Sequence, residues 1–205
     1  LAVKAIAQMH AKEGDLEYRR QEFDLAISKY KEAIYYNSTF TYAFNKLAQT
    51  SIKLKDYESA RVYLEESLII DPKQMKIEKM LGDIYKKTGV IGKAIVHYKN
   101  SIKIDGAYYK AYYSLADAYI SDGRFNDARD ALNNAIRIKP KYAKAYGTLG
   151  TVEWELGDTL SAIQSYSKAL EFDGKSYEIY FRLSTIYNLK EEYKKAKEYA
   201  KNSLD

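Results

Sequence analysis

The chain has no cysteine. Disulfide bridges, thiolate metal sites and thiol nucleophiles are therefore outside its chemistry. Two prolines and ten glycines are too few for a loop-rich β protein. The two histidines, His10 and His97, stand far apart in sequence with no evident co-ligands, so no metal and no other cofactor is expected. No apolar run reaches the roughly 18 residues that a membrane-spanning helix needs. The opening Leu1-Ala2-Val3-Lys4 lacks a methionine, a basic stretch and an apolar stretch, so any targeting signal is expected to have been removed or never to have belonged to this fragment. Cytoplasmic, periplasmic and cell-surface locations all stay open. The frequency of Lys, Ile, Tyr and Asn fits an AT-rich, bacterial source.

Of the 205 residues, 30% are charged and 46% hydrophobic, which excludes a disordered chain. Tyrosine, at 22 copies, calls for an explanation. Internal repetition supplies it. Ala26, Ala60, Ala94, Ala128, Ala162 and Ala196 follow one another at steps of 34 residues. The same step links Leu47, Leu81, Leu115, Leu149 and Leu183. A small residue follows each leucine: Ala48, Gly82, Ala116, Gly150 and Ser184, with Gly14 one period earlier. An aromatic precedes four of the leucines by three residues, at Phe44, Tyr112, Tyr146 and Tyr180, and Glu78 breaks that series. Gly89, Gly123 and Gly157 lie five before three of the alanines, and Pro72 and Pro140 close two units.

Each unit reads as two helices. In the fourth, Tyr112, Leu115, Ala116 and Tyr119 recur at helical spacing, Asp122-Gly123 is a turn signal, and Phe125, Ala128, Leu132, Ala135 and Ile136 form a second apolar stripe. Lys139-Pro140 ends it, because a residue before proline is pushed out of the helical region. No segment alternates like a strand.

The array resembles the tetratricopeptide repeat (TPR) family, whose 34-residue pattern is matched by Leu81-Gly82, Tyr85, Gly89, Ala94 and Tyr98, and again by Tyr146, Leu149-Gly150, Gly157, Ala162, Tyr166 and Ala169. The resemblance implies an all-α fold: a right-handed α-α superhelix of six TPR helix-turn-helix repeats. The expected windows are 7–40, 41–74, 75–108, 109–142, 143–176 and 177–205, a single array filling the chain. Tyr85, Tyr98, Tyr112, Tyr119, Tyr146, Tyr166, Tyr180 and Tyr187 then belong to packing positions. The first unit is the least regular, with Glu13 and Glu17 at apolar positions. The last stops inside its second helix, which would leave Ala196, Ala200, Ser203 and Leu204 bare. The chain is therefore expected to be a piece of a longer one, or to be covered there by another chain.

Helix geometry separates a second stripe from the packing stripe, at positions 2, 5, 9, 12 and 13 of each unit. In proteins of the resembled family this stripe lines a concave groove. The first unit offers Gln8, Ala11, Asp15, Tyr18 and Arg19. The candidate groove residues are Asn45, Gln49, Lys53, Lys76, Lys79, Asp83, Lys86, Lys110, Tyr113, Asp117, Lys144, Trp154 and Phe181. Charge is uneven: residues 75–108 hold seven lysines against three acids. Lysines near aromatics suit an acidic peptide. The bland alternatives are a solvated lysine face and a Trp154 that leans into the next repeat.

Binding of a protein or peptide segment in the groove is the leading expectation. An architectural or self-assembling role in a larger, cell-envelope protein is the alternative. The carboxylate clamp of TPR co-chaperones is disfavoured, because the corresponding positions hold Ala11, Asp15, Lys46, Lys76 and Met80, and only Lys76 agrees. Nucleic acid is disfavoured because Asp83, Asp105 and Asp117 interrupt the positive charge and no arginine cluster occurs. Enzyme activity is not expected: Gly89-Val90-Ile91-Gly92-Lys93-Ala94 lacks the first glycine and the Ser/Thr of a phosphate loop.

Overall fold

A computed structural model describes residues 2–173 and 176–203. Leu204, named above as part of a bare apolar side, lies outside the described residues. Among the described residues run twelve helices and no strand: α1 (Ala2–Arg19), α2 (Phe23–Tyr36), α3 (Thr41–Lys53), α4 (Tyr57–Ile70), α5 (Met75–Lys87), α6 (Ile91–Ile104), α7 (Tyr109–Ser121), α8 (Phe125–Ile138), α9 (Ala143–Glu155), α10 (Thr159–Phe172), α11 (Tyr177–Leu189) and α12 (Tyr193–Asn202). The all-α helix-hairpin repeat expected from the 34-residue period is present. None of these helices is long and apolar enough to cross a membrane.

The chain divides into two compact units, Leu1–Asp105 and Gly106–Asp205. In the first, α1 packs on α2, α3 on α4 and α5 on α6, and the hairpins join through α2 against α3 and α4 against α5. The second repeats the scheme with α7 on α8, α9 on α10 and α11 on α12, joined through α8 against α9 and α10 against α11.

All six hairpins close in one way. The backbone N–H groups of Glu22, Asp56, Val90, Arg124, Asp158 and Glu192 each donate to the carbonyl five residues earlier, at 2.8–3.0 Å. This is a Schellman closure, and it needs the residue before the donor in the left-handed region. Gly89, Gly123 and Gly157 adopt it at φ +81°, +73° and +80°. Gln21, Lys55 and Glu191 occupy the same place at +66°, +63° and +60°, where a Cβ costs about 1 kcal/mol. Three hairpins therefore keep a turn that their own residue disfavours, because the packing on either side demands it.

The six periodic alanines are buried, as are the leucines at 47, 81, 115, 149 and 183. The buried face of the first helices is wider than the expected stripe. Ala43, Ile77, Ala111, Ala145 and Ile179 are also buried, and so are Thr50, Ile84, Ala118, Val152 and Ile186. Helices α3, α5, α9 and α11 are each covered both by their hairpin partner and by the second helix of the preceding hairpin, so two flanks are lost to solvent rather than one. Ala11, assigned above to the groove stripe, is buried in a cluster with Ala33 of α2 and Ala43 of α3. The break at Glu78 is absorbed by polar packing: this buried carboxylate lies 2.7 Å from His97 Nδ1 and accepts from Asn100 Nδ2 at 3.3 Å.

Inside the hairpins, small and large residues are matched across the interface. Tyr30, Tyr98 and Tyr166 are almost wholly buried, and their rings lie on Gly14, Gly82 and Gly150. A Cβ at these glycines would stand 2.6, 2.6 and 2.8 Å from the ring, well inside contact distance. A mid-helix glycine costs roughly 0.5–1 kcal/mol against alanine, so room for the ring is the reason it is kept. The alternating hairpins carry the converse pairs, with Ala48 and Ala116 at the glycine position and Leu64 and Leu132 at the tyrosine position.

Two outcomes are expected in urea denaturation. Gly82→Ala alone loses about 1–3 kcal/mol by overpacking, and adding Tyr98→Leu recovers most of it, with strong coupling in the double-mutant cycle. A neutral single substitution would show that the close approach constrains nothing. Lys55→Gly gains about 0.5 kcal/mol by relieving the left-handed turn, less than the full penalty because glycine also frees the unfolded chain.

Candidate functional site

In the first unit a cleft of about 480 Å³ opens between α3 and α5. Its wall includes Asn45, Gln49, Lys76 and Met80, with Gln74 at one end. Gln74 is fixed by three donations from its amide nitrogen, to the Ser67 carbonyl (2.9 Å), Ser67 Oγ (3.0 Å) and the Asp71 carbonyl (2.9 Å). Its amide oxygen in turn accepts from Asn45 Nδ2 at 2.9 Å. Asn45 is thereby held in one orientation, and its Oδ1 is buried with no hydrogen-bond partner. A buried acceptor left without a donor is costly, about 1–3 kcal/mol. Gln49, one turn along, carries a second amide on the same wall, and Lys73 and Lys76 bring two ammonium groups to the rim.

Several candidate residues serve the fold instead. Asp83 Oδ2 is 2.6 Å from Lys79 Nζ, and its Oδ1 accepts from the Tyr98 hydroxyl at 2.9 Å. Asp15 does the same for Tyr30 at 2.9 Å, and Thr151 pairs with the Tyr166 hydroxyl at 3.1 Å. The residue after each ring-bearing glycine thus partners the tyrosine hydroxyl that the ring brings into the core. In the hairpins with leucine the same position holds Gln49 or Asp117, and no tyrosine occupies the facing position; in the last hairpin it holds Thr185, and the facing position is Ala200. Burial pushes the Asp15 carboxyl up, but hydroxyls from Tyr42 and Tyr30 and the Lys46 ammonium together hold it below the ordinary range. Burial, then the Asp15 carboxylate, pushes Tyr42 up to about 12.

The second unit has a cleft of about 540 Å³, bounded by Tyr113 and Asp117 of α7, Lys144 and Gly147 of α9, and Ile179 and Arg182 of α11. Gly147 leaves its floor open: a Cβ there would approach Ile179 Cδ1 to 3.1 Å. Tyr113 is oriented by Thr148 Oγ1, 3.2 Å from its hydroxyl, and by Lys144 Nζ, 5.1 Å from its ring centre. Arg182 donates through Nε and Nη2 to Glu178 at 3.2 and 2.9 Å.

The structure therefore brings Asn45, Gln49 and Lys76 to one cleft, and Tyr113, Asp117 and Lys144 to another. Lys53, Lys79, Asp83, Lys86, Lys110, Trp154 and Phe181 line neither cleft. Trp154 packs against a core cluster that spans its own repeat (Ala162, Tyr166) and the next (Ile179, Leu183). Phe181 stands 64% exposed. Lys46, Met80, Thr148 and Arg182 line the clefts but were absent from the candidates. All four occupy the sixth position of their units, and their 34-residue spacing was the signal that could have found them.

One cluster has ligand types suited to a metal. His10, Glu13 and Glu32 present atoms within 4.8 Å of one another, so His10 does have neighbours of ligand type, Glu13 one turn along the same helix and Glu32 brought from the facing helix by folding. His10 Nδ1 is 2.8 Å from Glu32 and 3.4 Å from Glu13. Lys29 Nζ lies 3.0 and 3.2 Å from the same two carboxylates. Its ammonium already bridges the two carboxylates and offsets one of their two negative charges.

Sequence profiles described as tetratricopeptide repeat match residues 41–74, 80–143, 113–177 and 177–205. The chain belongs to the tetratricopeptide repeat family. No curated protein matches it in sequence. Among solved structures, the MamA protein is 25% identical with a TM-score of 0.77, covering 83% of this chain and 93% of that one. The pilF protein of Pseudomonas aeruginosa is 12% identical at a TM-score of 0.81, covering 97% and 90%. YrrB, described as a TPR protein with an unusual peptide-binding site, is 15% identical at 0.72, covering 83% and 88%. The last two likenesses are likenesses of fold. A protein-interaction module is the general role that TPR membership supports.

The tyrosine environments predict an alkaline signature. Tyr42 and Tyr142 are pushed up to about 12, Tyr142 by burial first and then by Tyr113 and Tyr109. Raised values favour the neutral phenols in the fold. Their contribution to stability is full below pH 10, the ordinary tyrosine value, and is lost as pH rises through about 12. In a phenolate absorbance titration, Asp15→Asn lowers the Tyr42 midpoint, assigned by difference from Tyr42→Phe, and leaves that of Tyr142 in place. Equal movement of both would refute the local assignment.

Proposed function

We propose that this TPR protein captures an extended segment of a partner protein along the clefts between the first helices of successive repeats. One observation supports this most directly. Positions 2, 5, 6 and 9 of different repeats line the clefts of both units, and in the first unit they carry an oriented amide whose oxygen is buried without a donor. Gln49, one turn along on the same wall, can satisfy a peptide carbonyl or N–H. Met80 and Ile77 offer apolar contact, while Lys73 and Lys76 favour acidic side chains in the ligand. The helical walls are preformed, so the ordering cost falls mainly on the peptide and affinity is expected in the micromolar range. The peptide-binding site attributed to YrrB shows that a scaffold of this fold can hold such a ligand. The role is non-catalytic.

Peptides selected from a random display library should bind Asn45→Leu and Lys76→Glu variants about tenfold more weakly than the original chain. Circular dichroism should show helicity unchanged. Selected peptides that ignore both substitutions would exclude the first-unit cleft.

A second reading, self-association, is supported by the surface of α11 and α12. Phe181, Leu189 and Tyr193 are exposed there, near a shallow recess bounded by Ser184, Ala196 and Ala200. Light scattering tests it: mass should rise with concentration and fall back in a Leu189→Glu, Tyr193→Glu variant. A constant monomer mass would leave peptide capture alone.

A further inference from the structure

Beside the second-unit cleft, residues 131–152 contain no acid, yet they hold Arg137, Lys139, Lys141 and Lys144. Folding lays this basic turn against three tyrosines. Lys139 Nζ lies 4.7 Å from the centre of the Tyr109 ring and 5.0 Å from that of Tyr142, and it donates to the Tyr109 hydroxyl at 3.3 Å. Tyr142 meets Tyr109 edge-on at 5.1 Å and Tyr113 at 5.4 Å, and Lys144 Nζ covers the Tyr113 ring at 5.1 Å. The result is a continuous line, Lys139–Tyr109–Tyr142–Tyr113–Lys144. Pro140 restricts Lys139 to an extended backbone, so the first ammonium is presented by a stiff turn.

The positive charge here is not neutralised locally. Among the described residues, none of Lys139, Lys141 and Lys144 has a carboxylate in ion-pair range, and Arg137 donates to Asn134. Lys144 also sits in the first turn of α9, which has no acidic residue. The positive end of a helix disfavours a cation there and favours an anion. Lysines held over ring faces are already partly ordered, which lowers the cost of fixing them on a ligand.

We propose that this line docks an acidic segment of a partner protein, with the aspartate and glutamate carboxylates bridging Lys139, Lys141 and Lys144. The inference rests on the reading of the second-unit cleft as a partner groove, whose wall shares Tyr113 and Lys144 with it. Among the carboxylates of that cleft, Glu178 is held by Arg182. A single-stranded nucleic acid fits less well. Bases stack on open aromatic faces, and here ammonium groups cover one face of each ring while the rings abut one another edge-on or tilted.

The test uses the full chain and fluorescence anisotropy. The probes are a labelled peptide rich in aspartate and glutamate, its asparagine and glutamine analogue, and a single-stranded RNA oligonucleotide. The expected result is salt-sensitive binding of the acidic peptide. It should weaken about tenfold in Lys139→Gln, Lys141→Gln, Lys144→Gln combined, and by less than about twofold in Lys4→Gln, Lys31→Gln, Lys103→Gln, which removes the same charge elsewhere. Equal loss in both triple variants, equal binding of the neutral peptide, no binding, or tighter binding of RNA would each overturn the proposal. The Asn45→Leu and Lys76→Glu variants form a separate arm. If display-selected peptides depend on those residues while the lysine triple changes nothing, the groove reading stands and this one falls; the reverse pattern spares this one.

Discussion

A tyrosine ring laid flat on a glycine is the contact on which half of the hairpins in this chain are built. The axes of two helices can approach closely only if one side gives up its side chain where the other is widest. Gly14, Gly82 and Gly150 do so beneath Tyr30, Tyr98 and Tyr166. Ala48 and Ala116 do so more modestly opposite Leu64 and Leu132. The sum of the two partners, rather than either one, is held roughly constant through the first five hairpins, whereas the sixth pairs Ser184 with Ala200.

That choice propagates outward. A buried tyrosine needs a partner for its hydroxyl. The ring delivers this hydroxyl to the residue after the glycine, which is why Asp15, Asp83 and Thr151 are engaged. The same position in the leucine-bearing hairpins holds Gln49 and Asp117, and both line clefts. Core packing thus gives this repeat position the job of internal support where a tyrosine faces it, and Thr151 does that while also lining the second-unit cleft. The helix-closing turn is conserved in shape for the same reason. Its geometry is set by the approach of the two helices, and Gln21, Lys55 and Glu191 accept left-handed backbone to meet it.

The binding chemistry proposed above draws on places where packing leaves polar groups without internal partners. Asn45 is the clearest case, because Gln74 turns its amide and leaves the oxygen buried and unmet. The lysine–tyrosine line of the second unit is another, where aromatic faces order charges that no carboxylate among the described residues offsets. There the scaffold bears an electrostatic penalty that an incoming segment would relieve.

Much of this was legible without coordinates. The 34-residue spacing of Ala26 through Ala196, and of Leu47 through Leu183, was sufficient for the helix hairpins and their family, because a period imposed by stacking recurs wherever stacking occurs. The candidate stripe was legible in part. Asn45, Gln49, Lys76, Tyr113, Asp117 and Lys144 reach clefts, but Lys79 and Asp83 answer each other, and Trp154 packs against a core cluster. Spacing places a side chain on a face, yet a long side chain chooses among neighbours that only folding supplies. His10 and Glu32 show the same limit, being brought together across two helices. The sequence alone determined the repeat, its helical pairs and their small–large matching, since these follow from local periodicity. Which polar groups were used up inside and which were left for a partner depended on distances between helices, and those exist only in the tertiary structure.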